Sequence, residues 1–116
     1  MKQFKSLSIG LTLFALASPV WAADAGSITI TSPANGATVP GAGDKLEFSI
    51  HLSPNGNHVH VYVDDQDPMV VRDIGHCPCS VDLPTLSAGK HTIVVKEATS
   101  SHAMTGVQGT VTVTVK

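Results

Sequence analysis

His58-Val59-His60-Val61-Tyr62-Val63-Asp64-Asp65 alternates strictly between two kinds of side chain. Successive side chains of an extended chain point to opposite faces, so this pattern predicts a strand with Val59, Val61 and Val63 on one face and His58, His60 and Tyr62 on the other. The valines supply part of a core. The two histidines can point together toward one ion. The plain alternative is that they line the solvated side of a half-buried sheet.

The neighbouring segments extend the same reading. Upstream, Leu46-Glu47-Phe48-Ser49-Ile50-His51-Leu52 turns Leu46, Phe48, Ile50 and Leu52 inward, and Pro54-Asn55-Gly56 returns the chain into the histidine strand. Further back, Ser27-Ile28-Thr29-Ile30-Thr31 alternates and is broken by Ser32-Pro33-Ala34-Asn35-Gly36, with a short edge segment around Ala37 to Val39. Downstream, the Asp65-Gln66-Asp67-Pro68 turn precedes a short strand from Val70 to Ile74. The loop Gly75-His76-Cys77-Pro78-Cys79 then leads to a strand at Ser80 to Leu83. His91 to Glu97 forms another strand, Thr99 to Gly106 a polar loop, and Val107 to Val115 the last strand, with Val111, Val113 and Val115 alternating with threonines. About seven antiparallel strands punctuated by turns, with no convincing helix, predict an all-β sandwich of two sheets.

The first residues read as an address. Lys2 and Lys5 precede an apolar run, Leu7 to Ala17, too short to span a bilayer, and Val20-Trp21-Ala22 offers a cleavage site. The expected division is a signal peptide at 1–22 and one domain at 23–116. Residue 23 is alanine and not cysteine, so a lipid anchor is not expected, nor is a membrane span in the mature protein. The expected location is the periplasm or the exterior. Cleavage leaves five basic against nine acidic residues, a net charge of −4 with neutral histidines. That balance argues against nucleic acid, which wants clustered Lys and Arg. Phe48 and Tyr62 are the only aromatics remaining, too few for stacking platforms.

Ile30-Thr31-Ser32-Pro33-Ala34-Asn35-Gly36-Ala37-Thr38-Val39, with Leu86-Ser87-Ala88-Gly89-Lys90-His91-Thr92-Ile93 much later, resembles the opening strand and the penultimate-strand entry of bacterial immunoglobulin-like domains. The resemblance implies the disulfide-free type, because Cys77 and Cys79 lie in one loop and cannot bridge the sheets. It implies a fold and hardly any function, since such domains serve as spacers, adhesin modules, ligand binders and metal handlers.

If the strands follow the usual antiparallel order of that fold, three loops share one end of the sandwich. His51, His58, His76, Cys77, Cys79, His102 and Met104 then converge there with His60, while His91 goes to the opposite end. Imidazole, thiolate and thioether form a soft set that suits Cu(I) or Zn²⁺ and not Ca²⁺ or Mg²⁺. Copper is the first expectation and zinc the alternative. Cys77 and Cys79 have a rival fate: outside the cytosol two thiols usually end as a disulfide. No nucleophile motif is present, so catalysis is not expected. Two functions stay open. One is a small exported metal-binding protein using up to four of these residues; the other is a non-catalytic interaction or structural module that binds a protein partner of the cell envelope.

Overall fold

Two rules decide which strands pair: a β-strand with one apolar face must cover it, and edges of backbone must find partners. A computed structural model describes residues 25–116. The expected signal peptide at 1–22, with its cleavage site, lies outside the described residues. Eight strands form: β1 Ser27–Ser32, β2 Thr38–Val39, β3 Lys45–His51, β4 His58–Val63, β5 Met69–Val71, β6 Cys79–Asp82, β7 Gly89–Ala98 and β8 Met104–Val115. They build a three-stranded sheet in the order β1-β3-β6 and a five-stranded sheet in the order β2-β8-β7-β4-β5. The two-sheet all-β sandwich expected from the alternation is the architecture observed, with eight strands where about seven were expected.

The pairings are antiparallel except one. Thr38–Val39 runs parallel to β8, pairing with Thr114 and Val115, because the chain leaves β1 through the Pro33–Gly36 turn and crosses to the other sheet. Asn35 Oδ1 accepts the Thr112 N–H at 2.9 Å and Gly36 N–H donates to Thr112 O at 2.6 Å, which ties that turn to β8. Gly41 closes the next loop at φ +94°. A Cβ there would stand 2.8 Å from both Leu86 O and Val115 Cγ1, so glycine is required for packing as well as for conformation.

The core lies between the sheets. Ile28, Leu46 and Phe48 come from the small sheet, and Val59, Val61, Val63, Ile93, Val95, Val111, Val113 and Val115 from the large one. Phe48, Leu46, Val59, Val61, Ile93, Val95 and Val113 are completely buried. Each such side chain contributes about 1.5–3 kcal/mol by leaving water. Leu52, expected inward, falls past the end of β3 and is exposed. The last strand starts at Met104 and takes in the end of the segment expected to be loop, through a register shift opposite Lys96 and Ala98.

The pairing of β4 positions the site. It lies between β5 and β7, with His60 opposite both Val70 and Lys96 and His58 opposite Ala98. Paired residues share a face, so His58, His60 and Tyr62 lie outward on the large sheet with Val70, Val94, Lys96 and Ala98. The valines between them close the core.

Candidate metal centre

His58 and His60 face away from the sandwich interior yet are 0% and 7% exposed. The cover comes from the loop between β7 and β8. Thr99 N–H donates to Ala103 O at 2.8 Å, His102 N–H to Thr99 O at 2.9 Å and Ala103 N–H to Thr99 Oγ1 at 3.1 Å, so the loop curls into a tight turn. His102 sits in this turn at φ +70°, a left-handed conformation that costs a non-glycine residue about 1 kcal/mol or more and concentrates at functional positions. Its ring is thereby placed beside β4.

Three ring nitrogens meet there. His58 Nε2, His60 Nε2 and His102 Nδ1 are 3.1 Å apart in all three pairings, with ring centroids 4.7–5.3 Å apart. Hydrogen bonding cannot satisfy this triangle. Each imidazole nitrogen is either an N–H donor or a lone-pair acceptor, and the two roles cannot alternate around an odd ring. At least one side therefore sets donor against donor or acceptor against acceptor. A single cation between them would take three lone pairs at once.

The surroundings set the ring protons. Asn57 Oδ1 accepts from His58 Nδ1 at 2.9 Å, which puts that ring's proton on Nδ1 and leaves Nε2 as a lone pair aimed into the triangle. His60 Nδ1 is buried without a hydrogen-bond partner, so its tautomer is set by whatever faces Nε2. Arg72 Nη2 donates to His102 Nε2 at 3.2 Å. Burial lowers the pKa of His58 below 6.5, and Arg72, His102 and His60 lower it further; burial, His102 and Arg72 do the same to His60. Both rings are thus neutral at neutral pH, the form that ligates metal.

The spacing also speaks to coordination number. Nitrogens 3.1 Å apart are close enough for one ion to be shared among them at the 2.0–2.1 Å usual for zinc and imidazole. Three imidazoles would be an incomplete set for an ion that takes four ligands, so His58, His60 and His102 would leave at least one position to another ligand.

Behind the site, on the inner face of β7, Glu97 is completely buried. It accepts from Ser53 N–H at 2.8 Å, Ser53 Oγ at 2.5 Å and Thr105 Oγ1 at 2.6 Å. Burial pushes its pKa up, but these bonds outweigh it and hold the carboxyl below its ordinary value. Ser53 begins the turn that delivers Asn57 and His58, and Thr105 follows the His102 loop, so one carboxylate braces both approaches to the triangle.

Of the eight residues offered by the sequence, the fold gathers His58, His60 and His102. His51 ends β3 in the opposite sheet and is exposed. His76 is exposed in the loop after β5. Cys77 and Cys79 are joined as a disulfide, and Cys79 is buried in the core while Cys77 packs against it. Of the two fates left open for these cysteines the disulfide is the one observed, and the side chains gathered at the outer face are all imidazoles, because the sulfurs pack toward the interior. Met104 pairs with Ala98, which pairs with His58, so it shares the outer face two strands away and is exposed. His91 lies at the other end, where its Nδ1 bonds Asp64 Oδ2 and its Nε2 bonds Ser87 O, both at 2.7 Å.

Sequence reasoning did not find Asn57, Arg72 or Glu97. Glu97 carried a usable signal, since it continues the inward series Ile93, Val95. Asn57 is adjacent to His58 but unremarkable, and Arg72 reaches His102 only through the pairing of β4 with β5.

No curated protein matches this chain. Among solved structures, the fibronectin(III)-like modules of Clostridium thermocellum CbhA are similar with a TM-score of 0.54 and 19% identity, over 77% of this chain and 95% of that one. The crystal structure of an engineered protein is similar with a TM-score of 0.56 and 17% identity, over 78% of this chain and 20% of its own length. These likenesses establish the fold. Among the described residues, no helix is long and apolar enough to cross a membrane. The family model of the bacterial Ig domain matches residues 27–95, a span that includes His58 and His60 and ends before His102, and the chain belongs to that family.

Proposed function

We propose that this chain is an exported, non-catalytic Ig-like module that holds one metal ion at His58, His60 and His102. The observation that carries the reading is the triangle of ring nitrogens with 3.1 Å sides, which hydrogen bonds cannot satisfy and a cation can. An imidazole set without thiolate moves the preference from Cu(I) toward Zn²⁺ or Cu²⁺. Export rests on the leader-like residues 1–22 and suits an oxidised Cys77–Cys79 pair.

The test is equilibrium dialysis of residues 23–116 against Zn²⁺ and Cu²⁺. One equivalent bound by the wild type, and lost in the His58→Ala/His60→Ala variant and in His102→Ala, supports the site. Absence of binding by a folded wild type would sink it.

A second reading follows from the family match: a plain interaction or structural module of the cell envelope with no metal. The comparisons support the module itself and do not bear on the metal. This reading expects no stoichiometric ion and a partner whose binding survives loss of all three histidines.

A further inference from the structure

A divalent ion in this triangle faces a charge problem. Among the described residues the donor group contains no carboxylate and no thiolate, so three neutral imidazoles leave the full positive charge in place. Arg72 adds another, its guanidinium one imidazole ring away from the donor atoms through the 3.2 Å contact with His102 Nε2. Glu97 cannot compensate at close range, since it lies on the inner face of the sheet and is already taken by Ser53 and Thr105. The three-nitrogen set leaves at least one coordination position to be filled from elsewhere.

The proton arithmetic of His102 decides what Arg72 does. A guanidinium donates and never accepts, so the contact with Nε2 requires a lone pair on that atom and puts the proton of the neutral ring on Nδ1. An ion held through Nδ1 would need the lone pair there, which would put the ring's proton on Nε2. Donor would then face donor, and the Arg72–His102 hydrogen bond would be lost. The Arg72 side chain is exposed at the end of β5, free to swing, and always charged.

Resting on the metal reading above, we infer that the loaded site takes a small free carboxylate as an additional ligand, with one oxygen toward the ion and the released Arg72 guanidinium paired to the carboxylate. The chemistry fits on both sides. Oxygen donors complete borderline divalent ions readily, and a planar guanidinium pairs with a carboxylate through two parallel hydrogen bonds. The module would thus recognise metal and anion as a unit, and Arg72 would select for the anion without being a ligand.

The experiment loads the wild type and Arg72→Met with Co²⁺ as a spectroscopic stand-in and titrates each with sodium acetate, following the visible absorption. Wild type is expected to show a saturable spectral change, with half-saturation roughly tenfold higher in Arg72→Met, the factor expected for losing one charge-assisted pair. Co²⁺ affinity itself should be equal or higher in the variant, because a neighbouring positive charge has been removed. Identical acetate titrations in the two proteins, or no response to acetate, would overturn the proposal while leaving the metal site standing. Dimerisation of the loaded protein without acetate, seen by light scattering, would overturn it in favour of a carboxylate from a second copy. Failure of the folded wild type to bind Co²⁺, Zn²⁺ or Cu²⁺ would remove the metal reading and this one with it.

Discussion

Replacing Gly56 with alanine is expected to destabilise the domain by about 0.5–2.6 kcal/mol, through a carboxylate that is distant in sequence. A Cβ at Gly56 would overlap Glu97 Oε2 and stand 2.5 Å from Glu97 Cδ and 2.9 Å from Leu52 Cδ2. Ordinary carbon contacts need about 3.5 Å, so the carboxylate must retreat by roughly an ångström. Oε2 holds Ser53 N–H at 2.8 Å, a bond that does not survive such a shift. Breaking a charge-assisted bond in a buried site costs about 1.5–3 kcal/mol. Against this, Gly→Ala restricts the unfolded chain and returns about 0.4–1 kcal/mol where the backbone conformation allows it. Urea unfolding measures the balance, and an m-value of 1–3 kcal/mol/M converts it to a midpoint lower by about 1 M. The decisive comparison is a double-mutant cycle with Glu97→Ala. With the carboxylate gone, the alanine at 56 has room, and its cost should vanish or change sign. An equal cost of Gly56→Ala in both backgrounds would refute the argument.

Three other predictions concern the rim and the far end. Asn57→Ala removes the acceptor that keeps the proton of His58 on Nδ1, and Zn²⁺ or Cu²⁺ affinity measured by competition with a chelator should fall about 10- to 100-fold with little change in stability. Cys77→Ser/Cys79→Ser should leave metal affinity unchanged, because the disulfide faces the core side and the imidazoles the other; a lost ion in the same competition assay would return sulfur to the ligand set. The Asp64–His91 pair gives a pH signature. The Asp64 carboxylate, followed by the Ser87 carbonyl, raises the His91 pKa above 6.5, and the His91 bond followed by the Thr92 N–H lowers that of Asp64 below 3.8. A raised histidine pKa stabilises fully below 6.5 and fades as pH rises through the folded value. A lowered aspartate pKa stabilises above 3.8 and fades as pH falls through its folded value. The stability gap between wild type and His91→Gln should therefore be widest between those limits and close toward alkaline pH, and a gap that widens above pH 6.5 would contradict the pairing.

The sequence alone determined the strand character of these segments and the buried face of the central ones, though not every strand end. Period-2 alternation in His58 to Val63 and in Val111 to Val115 follows from the geometry of an extended chain, needs no partner, and appears in the structure with the valines inside. It also made His58 and His60 neighbours on one face. Tertiary structure decided which of the other candidate side chains joined them. Reasoning by loops places His51, His76, Cys77, Cys79, His102 and Met104 at one end of a sandwich, but an end has two outer faces and an interior. His51 went to the other sheet, the cysteines to the core and His102 to the triangle. That sorting rests on the left-handed turn at His102 and on the pairing of β4 with β5 and β7, which brought in Arg72. Contacts between residues 30 and 44 positions apart in the chain have no local period to announce them, because they are set by which sheets pack and how a loop is hydrogen-bonded.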